Sequence, residues 1–168
     1  MAEPQKPDAT QSEASPGQFA IHKIYVKDIS FEAPNSPGIF RSDWKPDVDI
    51  QLFTDASHIE ANVYEASIRI TVTIKIEDKT AFLVEVNQAG IFDIGGLPED
   101  RLKYMLGSFC PNILFPYARE TISDLVIRGG FPQLLLSPAN FDAMYMKHLQ
   151  ENRQGINSNS RPVYNRLI

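Results

Sequence analysis

The chain has 168 residues, 43% of them hydrophobic and 10% aromatic, enough to fill one sizeable core and, by ordinary domain size, a single domain. Sixteen Lys and Arg against twenty-one Asp and Glu give a formal charge of −5, which lacks the positive field of a phosphate-backbone binder and excludes nucleic acid as a partner. One cysteine makes no internal disulfide, no apolar run reaches the roughly 20 residues of a membrane span, and MAEPQKPDATQSEASPGQ lacks the charged start and apolar run of a secretory signal, so a reducing cytoplasm is the expected location.

Residues 1–18 have no large apolar side chain after Met1. Ordering them would lose chain entropy with little burial in return, and they read as a flexible N-terminal arm. Residues 19–154 form the expected single domain. It opens with QFAIHKIYVKDISF, Gln18 to Phe31, a strand made irregular by apolar groups on both sides. The segment APNSPGIFRSDWKP, Ala33 to Pro46, is punctuated by prolines yet offers Ile39, Phe40 and Trp44. Loops normally keep such side chains out of water, so either this one folds back to seal its own core or it presents a binding surface.

Three further strands follow. DVDIQLFTD places Val48, Ile50 and Leu52 on one side. NVYEASIRITVTIKIED alternates without a break, with Ile68, Ile70, Val72 and Ile74 against Arg69, Thr71, Thr73 and Lys75, the mark of a long strand with one buried face. A polar step from Glu77 to Thr80 leads into TAFLVEVNQAGIF, and the two strands read as an antiparallel hairpin. If Phe82, Val84 and Val86 face one side, Leu83 and Glu85 share the other. A lone leucine beside an acid on an outward face either has no role or marks a contact.

After Gly95 and Gly96 the period becomes helical. Leu102, Met105, Leu106, Phe109, Cys110 and Ile113 form one stripe, and Leu114, Tyr117, Ala118, Thr121, Ile122 and Leu125 continue it nearly in phase. The stretch CPNILFPYARE carries two prolines without reversing that apolar face, so the spacing predicts one long helix bent at Pro111 and Pro116 and ended by Gly129 and Gly130. A shorter helix, from about Asn140 to Gln154, opens on a capping Asn. Strands followed by helices predict an α+β fold: a four-stranded antiparallel sheet, a long kinked helix and a shorter C-terminal helix. Residues 155–168, GINSNSRPVYNRLI, read as a flexible C-terminal tail, although Val163, Tyr164, Leu167 and Ile168 could dock.

Catalytic patterns are missing. Cys110 lies on the apolar stripe with no cation beside it in sequence, so its thiol has no reason to ionise. His22, His58 and His148 fall in three different elements and give no metal spacing. The glycines make neither dinucleotide nor P-loop patterns. Glu99 and Asp100 suit a helix start. No cofactor, no metal and no catalytic residue are expected.

KDISFEAPNSPGIF, DWKPDV, VYEASIRITVT, TAFLVEVNQAGIF and CPNILFPYARETISDLVIRGGFPQLLLSPANFDAMY together resemble the SecB protein-export chaperone family, from about Ile21 to Gln150. The resemblance implies an ATP-independent cytosolic holding chaperone, a homotetramer built as a dimer of dimers. It would keep unfolded precursor proteins competent for export and deliver them to the SecA translocase ATPase, without inserting into the membrane itself. It places Ile39, Phe40, Trp44, Phe141, Met144 and Tyr145 among the linings of client-binding grooves. Asp28, Glu32, Leu83 and Glu85 match the acidic outer face that meets the basic, zinc-bearing segment of SecA, and Val84, Val86 and Gln88 match positions that influence subunit assembly. The tail departs from the family, since residues 155–168 hold Arg161 and Arg166 and no acid. Two other readings stay open: a carrier of a small apolar ligand, enclosed between sheet and helices, and a hydrolytic or redox enzyme using Cys110.

Overall fold

The computed structural model describes residues 17–154; most of the arm and all of the tail expected from the sequence lie outside them. Four strands, β1 (Gln18–Glu32), β2 (Asp47–Glu60), β3 (Val63–Ile76) and β4 (Lys79–Gly95), form one antiparallel sheet in the order β1-β4-β3-β2. The expected β3–β4 hairpin closes through Glu77 and Asp78, both at positive φ (49° and 65°). That is the turn whose twist matches the strands it joins. β1 and β2 are the two edges, so their connection must pass from one side of the sheet to the other. Asn35 Nδ2 donates to the Thr80 carbonyl at 2.9 Å, which ties that loop to the end of the β3–β4 hairpin.

The irregularity of β1 has a definite cause. Its register against β4 slips between Ile21 and Lys23 and again between Val26 and Asp28. Each bulge adds one residue and reverses the alternation. Phe19 and Ile21, then Ile24 and Val26, then Ile29 and Phe31 therefore all fall opposite even-numbered residues of β4, on the same face of the sheet.

Helices cover that face. α1 (Glu99–Tyr104), a π-helical turn (Met105–Phe109) and α2 (Cys110–Arg128) run into one another with helical dihedrals at each junction, giving the single long helix expected. The π turn is new information. It sits just before Pro111, and the Cys110 amide donates five residues back to Met105. A proline ring crowds the carbonyl four residues before it and supplies no amide hydrogen; the wider turn makes room for both defects. Pro116 lies inside α2.

Cys110, Leu114, Ala118, Ile122 and Val126 are fully buried, one per four residues, against Ile68, Ile70, Val72, Val84, Val86 and Phe92 of the sheet. The buried stripe is narrower than the sequence suggests, for Phe109 and Tyr117 remain exposed. α2 ends at a glycine pair: Gly130 takes φ 83°, its amide donates to Ile127, and the Phe131 amide reaches back to Val126, the paired bonds of a Schellman cap. Residues 131–140 then run without regular structure to α3 (Phe141–Arg153), where Asn140 Oδ1 accepts from the Ala143 amide at 2.9 Å as the expected cap. Among the described residues, no helix is long and apolar enough to cross a membrane.

Candidate functional site

An aromatic ledge forms where the β1–β2 loop meets the end of α2. Phe131, directly after the helix cap, is the hub. Its ring lies 4.9 Å from Phe40, 4.9 Å from Phe82, 6.1 Å from Trp44 and 6.4 Å from Phe31. Gly129 permits this approach, since a Cβ there would come within 2.3 Å of the Phe31 ring. The loop both seals the core and leaves apolar side chains exposed. Ile39, in a short 3-10 turn (Gly38–Arg41), is buried and seals the core, whereas Phe40 and Trp44 keep 50% and 40% of their surface in water. Leu135, at 64%, and Ile127 extend the exposed apolar surface along the outside of α2. They line a cleft of about 400 Å³ with Pro116, Arg119 and Ser123.

Phe141, Met144 and Tyr145 lie elsewhere. Phe141 and Met144 are buried, Phe141 against Phe115 at 5.8 Å. Tyr145 packs edge-on to Tyr104 at 5.8 Å and over Gly107, where a Cβ would sit 2.7 Å from its ring. A cleft of about 440 Å³ opens beside them, lined by Tyr104, Ser108, Phe109, Pro138 and Phe141. The six residues thus divide into two groups at opposite ends of the long helix. Gly107, against Tyr145, and Gly130, against Phe40, are separated by roughly 35 Å at 1.5 Å per residue. Residues 131–140 connect the two, and Phe131 and Leu135 in that connection carry no periodic signal that marks them in the sequence. Neither cleft includes a sheet residue.

On the other face of the sheet, which carries no helix among the described residues, the register brings Asp28, Glu32, Leu83 and Glu85 together. Leu83 pairs with Glu32, Glu85 with Ser30, and Asp28 with Asn87; paired strands lie about 4.8 Å apart. Leu83 and Glu85 are half-buried, Asp28 and Glu32 exposed. Thr71 Oγ1 donates to Glu85 at 2.7 Å, and none of the three acids has an ion-pair partner among the described residues. Glu65, further along the face, is different. Lys27 donates to it at 2.7 Å and Tyr25 also bonds to it, so these hydrogen bonds hold its carboxyl below the usual range. Burial and the same acid push Tyr25 up to about 12.

Val84 and Val86 are fully buried beneath α2, and Gln88 is buried with its amide nitrogen donating to the Tyr25 carbonyl at 3.0 Å. No second chain could touch the two valines from this side without displacing the helix. Cys110 is buried as well, and burial alone pushes its thiol up to about 12. It is neutral at physiological pH, and no base among the described residues contributes to its shift. No cluster of His, Cys, Asp or Glu suited to a metal occurs among the described residues.

Residues 11–152 match the family model for SecB, preprotein translocase subunit. Proteins named protein-export protein SecB from Methylococcus capsulatus and Nitrosococcus oceani are 55% and 53% identical to it, covering 82% and 91% of this chain and 88% and 94% of those relatives. Among solved structures, a SecB-like chaperone of Mycobacterium tuberculosis, in complex with a peptide from an antitoxin, superposes with a TM-score of 0.59 at 19% identity, over 71% of this chain and 88% of that one. The shared fold and the extent of these identities mean that the chain belongs to the SecB family.

Proposed function

We propose that this SecB-family chain is an ATP-independent holding chaperone of the cytoplasm, which binds unfolded precursor proteins and delivers them to the SecA translocase ATPase. The observation that carries the proposal is the ledge. Phe40 and Trp44 stay exposed against the packed Phe131 hub, and Leu135 and Ile127 are exposed in the cleft beside α2. Apolar burial is worth about 25 cal/mol per Å² whatever the order of the residues, so such a surface accepts many unfolded chains and ignores folded ones. The sequence has no nucleotide-binding loop. Sedimentation of the chain with and without a reduced, unfolded precursor tests the proposal: co-sedimentation in the absence of nucleotide is expected, and failure to bind removes it.

The assembly is a homotetramer, a dimer of dimers. Ile21, Val26 and Ile29 on the edge strand β1 are each more than 40% exposed on the helix-bearing face. An uncovered apolar edge invites aggregation unless another chain covers it. Val84, Val86 and Gln88 act on assembly through the packing of β4, which carries β1.

SecA is met by the opposite face. Asp28, Glu32 and Glu85 around the half-buried Leu83 offer unpaired acids with one apolar anchor, suited to a basic partner segment. Asp28→Lys combined with Glu85→Lys is expected to weaken SecA binding at least about tenfold and leave capture of an unfolded chain unchanged, as titration with each partner will show. Equal loss of both would mean that the two surfaces are not separate. Cys110→Ala is expected to retain client binding, at a stability cost of roughly 1 kcal/mol for the small cavity. Rapid alkylation of the native thiol together with loss of function would favour an enzyme instead. A carrier of a small apolar ligand is disfavoured because the two clefts described among these residues include no sheet residue.

A further inference from the structure

We propose that Ser108 and Tyr104 are positioning residues that hold α3 closed through Asp142, and so set how readily the client surface beneath α3 opens. The inference rests on the chaperone reading only for its last step, the link to clients. α3 is joined to the body by residues 131–140, which have no regular structure, and its apolar contacts include Phe141 on Phe115, Tyr145 over Gly107 and against Tyr104, and the buried Met144. Contacts of that kind are non-directional and tolerate sliding. The directional ones are few. Among the described residues, the side-chain hydrogen bonds from α3 to the rest of the chain converge on a single atom, Asp142 Oδ1. Tyr104 OH donates to it at 2.9 Å, and Ser108 Oγ donates from a fully buried position.

The π turn accounts for the convergence. It belongs to Met105–Phe109, and it presents Gly107 to Tyr145 and Ser108 to Asp142 side by side, so one widened turn supplies both the flat seat and the polar catch. Asp142 is suited to its half of the bond. It occupies the first turn of α3, where unpaired amides favour a negative charge, and the hydrogen bond from Ser108, then that from Tyr104, keeps its carboxyl below the usual range. Release of the catch lets α3 pivot on residues 131–140. Met144, now buried, then joins the cleft already lined by Tyr104, Phe109 and Phe141, and a shallow cleft becomes a long apolar groove.

The test is a chain carrying Ser108→Ala and Tyr104→Phe, which removes both donors and leaves the apolar packing and the acid. Hydrogen exchange at the amides of residues 141–153 is expected to accelerate about tenfold, the equivalent of one to two net hydrogen bonds, with exchange in α2 and the sheet unchanged. The association rate for a denatured precursor is expected to rise by a similar factor. Unchanged exchange in α3 overturns the proposal, and so does acceleration spread evenly over α2 and the sheet, which a purely structural role would give. Should the double variant fail to fold, Asp142→Ala, at an exposed position, carries the same exchange measurement. A wild-type chain that ignores unfolded precursors would remove the chaperone reading, while the exchange ratio would still decide the catch.

Discussion

A chain with Phe40→Ser and Trp44→Ser is expected to bind an unfolded precursor about a hundredfold more weakly than the wild type, and SecA with the same affinity. Exposed aromatic side chains that anchor an interface are worth about 2 kcal/mol or more each and do not add fully, so two together give roughly 3 kcal/mol. Both rings here are held in place before any client arrives. Phe40 and Trp44 lean on Phe131 at 4.9 and 6.1 Å, and little conformational freedom remains to be lost on binding. Neither is a core residue, and the thermal midpoint of the variant should stay close to that of the wild type. Fluorescence anisotropy of a labelled, reduced precursor measures the affinity. Trp44 is the only tryptophan, so its own emission in the wild-type chain should respond to client and stay silent on SecA binding. Undiminished affinity in the double variant would place the client elsewhere.

Much of the scaffold can be read from alternation. β3 shows it over its whole length, and β4 shows both faces at once, Val84 and Val86 inward and Leu83 and Glu85 outward. β1 hides its face because two bulges reverse the phase, and a period-two reading has no means of counting an inserted residue. The strand order is equally hidden, since β1 pairs with the last strand and no local signal marks a partner some 60 residues away. In the long helix the prolines drew attention to the correct stretch, but the accommodation at Pro111 is a π turn, which leaves no spacing signature in the residues themselves. The ledge was legible as apolar side chains in a proline-rich loop. Its hub was not, because Phe131 acquires that role only when a glycine pair stops α2 and turns the chain beneath Phe40. The catch on α3 joins Ser108 to Asp142 across 34 positions, and neither residue is unusual where it stands.

Phe82→Ala is expected to destabilise the chain by about 3–5 kcal/mol, the range for removing a buried aromatic ring. At 2–4 °C per kcal/mol for a chain of this size, the thermal midpoint should fall by about 10 °C. Phe82 is 1% exposed and pairs with Ile74 on the helix-bearing face. Its ring stacks on Phe31 at 5.6 Å and meets Phe131 at 4.9 Å, so truncation leaves a hole beneath the hub that the rigid sheet cannot close. Phe82→Leu, which fills most of the hole, should cost less than half as much. The position also connects stability to function, because Phe131 supports Phe40 and Trp44 from below. Below its melting range the alanine variant should therefore bind clients more weakly as well, with Leu83 and Glu85 on the reverse of the same strand still able to receive SecA. Loss of the ledge residues themselves is expected to weaken client binding at constant stability, and loss of Phe82 to lower both. A Phe82→Ala chain with an unchanged melting curve and full client affinity would show that the ledge is not built on this core.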